Sequence, residues 1–77
     1  MNGWTIAYTS KKEEGIVIST TLSRLAWYGE YETAISMDGK DWRIVESYDI
    51  EEEAIKGHKK YTKMTKGEML KLSYIKN

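Results

Sequence analysis

The chain has no cysteine, no proline, one histidine, no net charge and no long apolar run. Each absence removes a class of protein. Without cysteine there are no disulfides and no thiolate-based zinc or iron–sulfur sites. A single histidine excludes a multi-histidine metal centre, and the carboxylates do not follow a calcium-loop spacing, which leaves only a carboxylate-only Mg²⁺ or Ca²⁺ site open. No stretch approaches the length of a membrane span, and MNGWTIAYTSKKEEG lacks the positive-then-apolar order of a signal peptide. Twelve basic and twelve acidic residues balance, which argues against both a basic nucleic-acid binder and an acidic nucleic-acid mimic. These features predict a cytoplasmic protein with no bound cofactor or metal.

What remains is a chain of 77 residues carrying three tryptophans and six tyrosines. That length allows a single domain, 1–77, and a chain of this size buries only about 60% of the surface its unfolded form exposes. Its stability must come from tight aromatic packing or from self-association, so a homodimer that covers a sheet edge or an aromatic patch is one expected arrangement.

Alternation and turn chemistry predict strands at WTIAYTS (4–10), IVISTTL (16–22), YETAISM (31–37) and DWRIVESY (41–48). KKEEG is a turn in which Gly15 is free to take positive φ, and Asp38-Gly39-Lys40 reads as a three-to-four-residue hairpin connection. In the last strand Trp42, Ile44 and Tyr48 are expected on one face and Val45 on the other. A helix follows, with Asp49 as N-cap and Glu52 completing an acidic capping box. Glu51 to Glu53 face the positive end of its dipole; Lys59, Lys60, Lys63 and Lys66 gather at the negative end. Ile50, Ala54, Gly57, Tyr61 and Met64 form its apolar stripe, Gly67 is its expected stop, and EMLKLSYIKN is read as a last strand rather than a short helix. The fold predicted is α+β: an antiparallel sheet of four or five strands, with one main helix packed on one face.

Gly57-His58 is the pair on which an enzymatic reading would rest. A mid-helix glycine costs about 1 kcal/mol relative to alanine, so it needs a reason. The steric one is close approach of the helix to a large ring, Trp42 among the possibilities; the other is a ligand against bare backbone, for which a helix interior with its amides already bonded is poorly suited. His58 reads as a boundary residue whose ring packs and whose nitrogen meets water or a carbonyl. A catalytic role would require an orienting partner and a nucleophile, and no serine lies in a nucleophile-elbow context. No catalytic residue is assigned. The loop SRLAWYGEY (23–31) holds Arg24, Trp27 and Tyr28, residue types enriched in interface hot spots, and is the predicted partner-binding surface, against the alternative that Trp27 plugs the core. Lys56, Lys59, Lys60 and Lys63 form the basic face that a nucleic-acid-binding alternative would use, against a solvated helix face.

Ser19-Thr20, Glu32-Thr33, Glu52-Glu53-Ala54 and Gly57-His58, in that order over roughly 16–61, resemble a group of small uncharacterised bacteriophage and prophage proteins. That group carries a V-S-T strand, a strand beginning E-T-M-V-F, and a helix of the form W-E-E-A-x-x-G-H. Its loop is usually rich in glycine and proline and often holds a histidine, whereas SRLAWYGEY has neither proline nor histidine. The resemblance implies phage origin, residence in the infected bacterium, and no established enzymatic activity. The function expected is that of a non-enzymatic accessory protein that binds a bacterial or phage protein, with nucleic-acid binding as the alternative.

Overall fold

The computed structural model describes residues 5–22 and 31–72. Four strands, β1 (Thr5–Lys11), β2 (Ile16–Leu22), β3 (Tyr31–Ser36) and β4 (Trp42–Tyr48), precede α1 (Glu51–Thr62) and a short α2 (Lys66–Leu70). The strands pair in chain order as one antiparallel sheet, β1-β2-β3-β4, and α1 lies across one face of it, touching all four strands. This is the α+β arrangement that the alternation predicted.

Local chemistry sets the connections. Between β1 and β2 the amide of Glu14 donates to the Lys11 carbonyl, and Gly15 takes φ 73°, a left-handed conformation that other residues rarely adopt. Between β3 and β4 the connection is longer than predicted. Ser36 pairs with Trp42, which leaves residues 37 to 41 as the turn. The turn is organised by Asp38 Oδ1, which accepts from the amides of Lys40 (2.8 Å) and Asp41 (2.9 Å) and from the Ser36 hydroxyl (3.2 Å). Those amide bonds hold the Asp38 carboxyl below its usual range.

Strand β4 corrects the expected face assignment. Thr33 pairs with Glu46 and Ala34 with Ile44, so Val45 is an extra residue at a bulge. The bulge reverses the alternation. Glu46 and Tyr48 therefore reach the helix side, while Ile44 and Trp42 pair with Ala34 and Ser36 on the opposite face. Val45 packs against the core instead of facing away from it.

The core comprises Ile16 and Ile18 of β2, Ile35 of β3, Tyr61 of α1 and Met69 of α2, with Met37, Val45, Met64 and Leu72 packed against it. Ile16 and Ile18 are fully buried, each contributing about 1.5–3 kcal/mol of transfer free energy.

The helix ends also differ from expectation. The N-cap of α1 is Ile50, extended at φ −130°, with no side-chain cap. Asp49 lies one residue outside the cap, so the predicted Asp49/Glu52 box does not form, and Glu51, Glu52 and Glu53 answer the dipole alone. Ile50 itself is half exposed. At the other end α1 stops at Thr62, before Gly67, where the Thr62 hydroxyl donates back to the Lys59 carbonyl. Lys11 of β1 reaches across to donate to the Met64 carbonyl at 2.9 Å. Gly67 is not a stop but part of α2, which takes the first residues, 68–70, of the last strand expected over 68–77; residues 73–77 of that strand lie outside the described residues. The cause is a capping box: Thr65 Oγ1 accepts from the Glu68 amide, and Glu68 Oε1 accepts from the Thr65 amide.

Candidate functional site

Gly57 and His58 meet the sheet where β2, β3 and β4 present Thr20, Thr33 and Tyr48. Helical periodicity brings Ala54, Gly57, His58 and Tyr61 down onto this face, and all four are buried. A Cβ on Gly57 would lie 2.5 Å from Cε1 of Tyr48 and closer still to its Cζ and Oη. The glycine thus accommodates a large ring, as its position in the stripe predicted, but the ring is Tyr48 and not Trp42.

His58 departs from the boundary reading. It is 6% exposed, and both ring nitrogens bond to threonine hydroxyls: Nε2 to Thr9 Oγ1 at 2.9 Å and Nδ1 to Thr20 Oγ1 at 2.8 Å. From Thr20 the chain of contacts continues to Thr33 (2.6 Å), then to Tyr48 Oη (3.0 Å), to Glu46 Oε1 (2.9 Å), and finally to the Lys60 ammonium (3.0 Å). Seven side chains from four strands and the helix form one line of hydrogen bonds beneath α1.

Counting protons fixes its direction. A carboxylate only accepts, so Lys60 and Tyr48 both donate to Glu46. The phenol has one proton, so Thr33 donates to Tyr48. Thr33 then accepts from Thr20, and Thr20 accepts from His58. Nδ1 therefore carries the imidazole proton, and Nε2 accepts from Thr9. Every donor from Thr9 to Tyr48 points towards Glu46, which Lys60 meets from the other end, an arrangement in which successive bonds polarise one another. No buried side-chain nitrogen or oxygen among the described residues lacks a partner.

The electrostatics agree with this order. Burial lowers the His58 pKa and favours the neutral ring. Burial pushes Tyr48 up, and neighbouring Glu46 adds to the shift, so the phenol keeps its proton. Burial opposes ionisation of Glu46, but the bonds from Lys60 and Tyr48 outweigh it and hold the carboxyl below its usual range. The same contact with Glu46 raises Lys60, which also lies 4.7 Å from the centroid of the Tyr61 ring. Thr20 and Thr33 are completely enclosed, so no substrate reaches their hydroxyls.

The predicted surface residues fall differently. Arg24, Trp27 and Tyr28 lie outside the described residues. On the lysine face Lys60 is engaged by Glu46, and Lys56 lies 3.8 Å from Glu52 in an exposed i,i+4 pair, so two of the four cations (Lys56, Lys59, Lys60, Lys63) have carboxylate partners. On the sheet face opposite α1, register aligns Tyr8–Ser19–Ala34–Ile44 and, one row over, Ser10–Val17–Ser36–Trp42. Small residues thus occupy the middle of this face, with Tyr8 (55% exposed) and Trp42 (46%) at opposite edges. Among the described residues no group of three or more acidic or histidine side chains could hold a metal, and no helix is long and apolar enough to cross a membrane.

No family model, curated protein or solved structure matches this chain. Of the nine residues on which the sequence resemblance rests, Thr20, Thr33, Gly57 and His58 lie in or beside this buried line, whereas Ser19 and Glu32 are on the other side of the sheet and Glu52 and Glu53 are exposed. The sequence alone does not join those four.

Proposed function

We propose that this protein is a small, non-enzymatic accessory protein of the phage or prophage type, acting in the host cytoplasm by binding a protein partner through the sheet face opposite α1. The observation that carries this reading is the exposure of Tyr8 and Trp42 at the edges of that face, with Val17, Ser19 and Ala34 partly exposed between them and Ser36 buried. Aromatic side chains at this level of exposure supply large contact area at low entropic cost and dominate interface energetics. Along both aligned rows there is no charged side chain, and Glu32 stands in the adjoining row, so the partner surface that fits is mainly apolar. The hydrogen-bonded line from Thr9 to Lys60 supports the non-catalytic part of the proposal, because its groups are engaged with one another rather than presented to a substrate.

The test compares tagged wild type with Trp42→Ala in affinity purification from bacterial lysate, identifying protein and nucleic acid in the eluates. The proposal expects a protein retained by wild type, lost with Trp42→Ala and kept with Lys59→Ala, while circular dichroism of both variants stays native. Identical eluates from wild type and Trp42→Ala would contradict it. Recovery of nucleic acid with a steep salt dependence, lost with Lys59→Ala, would favour the lysine face instead.

A further inference from the structure

A cleft separates the β3–β4 turn from α2 and is distinct from the sheet face proposed above. It encloses about 200 Å³. Its floor is apolar: Ile35 and Met69 are almost completely buried, and Val45 and Leu72 pack partly exposed beside them. Its rim is charged. Asp38, Asp41 and Arg43 line it and are all exposed, giving two carboxylates against one guanidinium. The Asp38 carboxylate is held in place by the Lys40 and Asp41 amides, which also keep it ionised.

We infer that this cleft binds a small organic ammonium compound, with a compact apolar body against Ile35, Val45 and Met69 and its cationic end at Asp38 and Asp41. Size and charge carry the inference. Ligand pockets for drug-sized molecules run to roughly 300–1,000 Å³, whereas an apolar cavity of about 150 Å³ suffices for benzene. The body is therefore of the order of a single ring or a branched alkyl group. The excess of carboxylate at the rim selects a cation over a neutral or anionic group on the same body. The bulge at Val45 gives the cleft its depth, since the extra residue turns an apolar side chain inward beside Ile35.

The experiment is a titration of ¹⁵N-labelled full-length protein, followed by amide shifts, with three probes sharing one ring: benzylamine as its ammonium, benzyl alcohol and benzoate. Saturable shifts centred on Ile35, Asp41, Val45 and Met69 are expected, with the ammonium binding about two- to five-fold more tightly than the alcohol, the range of an exposed ion pair, and benzoate weakest. Asp41→Asn, an exposed substitution, should bring ammonium and alcohol closer together without changing the alcohol. Val45→Phe, which fills the cleft, should abolish binding of all three, and Asp41→Asn carries the test alone if Val45→Phe does not fold. Absence of saturable shifts with benzylamine, or benzoate binding as tightly as benzylamine, would overturn the inference. So would binding of a lysine-containing peptide by a protein that does not bind benzylamine.

Discussion

Replacing Gly57 with alanine separates two opposite expectations by sign. On an exposed helix surface the change stabilises by about 1 kcal/mol, because alanine is the better helix former. Here the new methyl would overlap the Tyr48 ring, with Cε1 at 2.5 Å. The ring cannot simply swing away. It is 7% exposed, and its hydroxyl is held between Thr33 at 3.0 Å and the Glu46 carboxylate at 2.9 Å. Moving it forfeits a neutral hydrogen bond and a charge-assisted one, together about 2–4 kcal/mol; holding it in place strains the packing by about 1–3 kcal/mol. After subtracting the propensity gain, the first route leaves about 1–3 kcal/mol and the second about 0–2, and the cheaper one sets the outcome, so Gly57→Ala should destabilise the protein by up to about 2 kcal/mol. Urea unfolding followed by circular dichroism measures this directly, and at an unchanged m-value the midpoint should fall. A midpoint that rises with Gly57→Ala would refute the claim that this glycine exists to seat Tyr48.

Two further outcomes follow from the hydrogen-bonded line. Thr20→Val keeps the shape but removes the acceptor for His58 Nδ1–H, leaving one buried polar group without a partner, and should cost about 1–3 kcal/mol in thermal or urea unfolding. Thr20→Ser keeps the hydroxyl, loses one methyl and should cost about 1 kcal/mol; equal losses for the two variants would remove the polar explanation. The pH dependence has a fixed sign. The His58 pKa is lowered in the folded state from 6.5, so the unfolded chain binds the proton first, and stability should fall as pH drops below 6.5 towards the folded value. Glu46, lowered from 4.5, should add a second loss as pH falls below 4.5. Denaturant midpoints across this range, compared with His58→Phe, isolate the first of the two.

The sequence made the strands and the buried helical stripe legible because both are local, periodic patterns. Thr33 and Ile35 alternate with Ala34, and Ala54, Gly57 and Tyr61 recur at helical spacing, so the sheet and the face of α1 could be placed from neighbours alone. The bulge at Val45 was hidden, since alternation in WRIVESY has no mark showing where one residue is skipped. It cost the face assignment of Trp42, Ile44 and Tyr48. The Thr65-Lys66-Gly67-Glu68 box is present in the sequence, but the strand expected there rests on the alternation of Leu70, Leu72 and Tyr74 alone and leaves the box out.

The line from Thr9 to Lys60 was the least legible feature. Its first links join residues 49, 38 and 13 positions apart, and a threonine hydroxyl carries no local signal of the partner it will meet. From the sequence alone His58 therefore reads as a boundary residue meeting water or a carbonyl, whereas pairing of β2 with β3 places two hydroxyls side by side beneath it. Glu51 to Glu53 and Lys59 and Lys60 could be placed at the ends of the helix dipole from their positions alone, but Lys66, expected with them, opens α2 instead, and the bond from Lys60 to Glu46 depends on the bulge that turns Glu46 towards α1.

The central claim is that His58 is a neutral, doubly bonded member of the protein interior with its proton on Nδ1. Long-range ¹H–¹⁵N correlation spectra of the imidazole ring, recorded from neutral pH down through 6.5, test it most directly. The account predicts a protonated Nδ1 and an unprotonated Nε2 at neutral pH, with ring titration displaced below the ordinary histidine value. A proton on Nε2 at neutral pH, or ring titration at the ordinary histidine value in the folded protein, would contradict it.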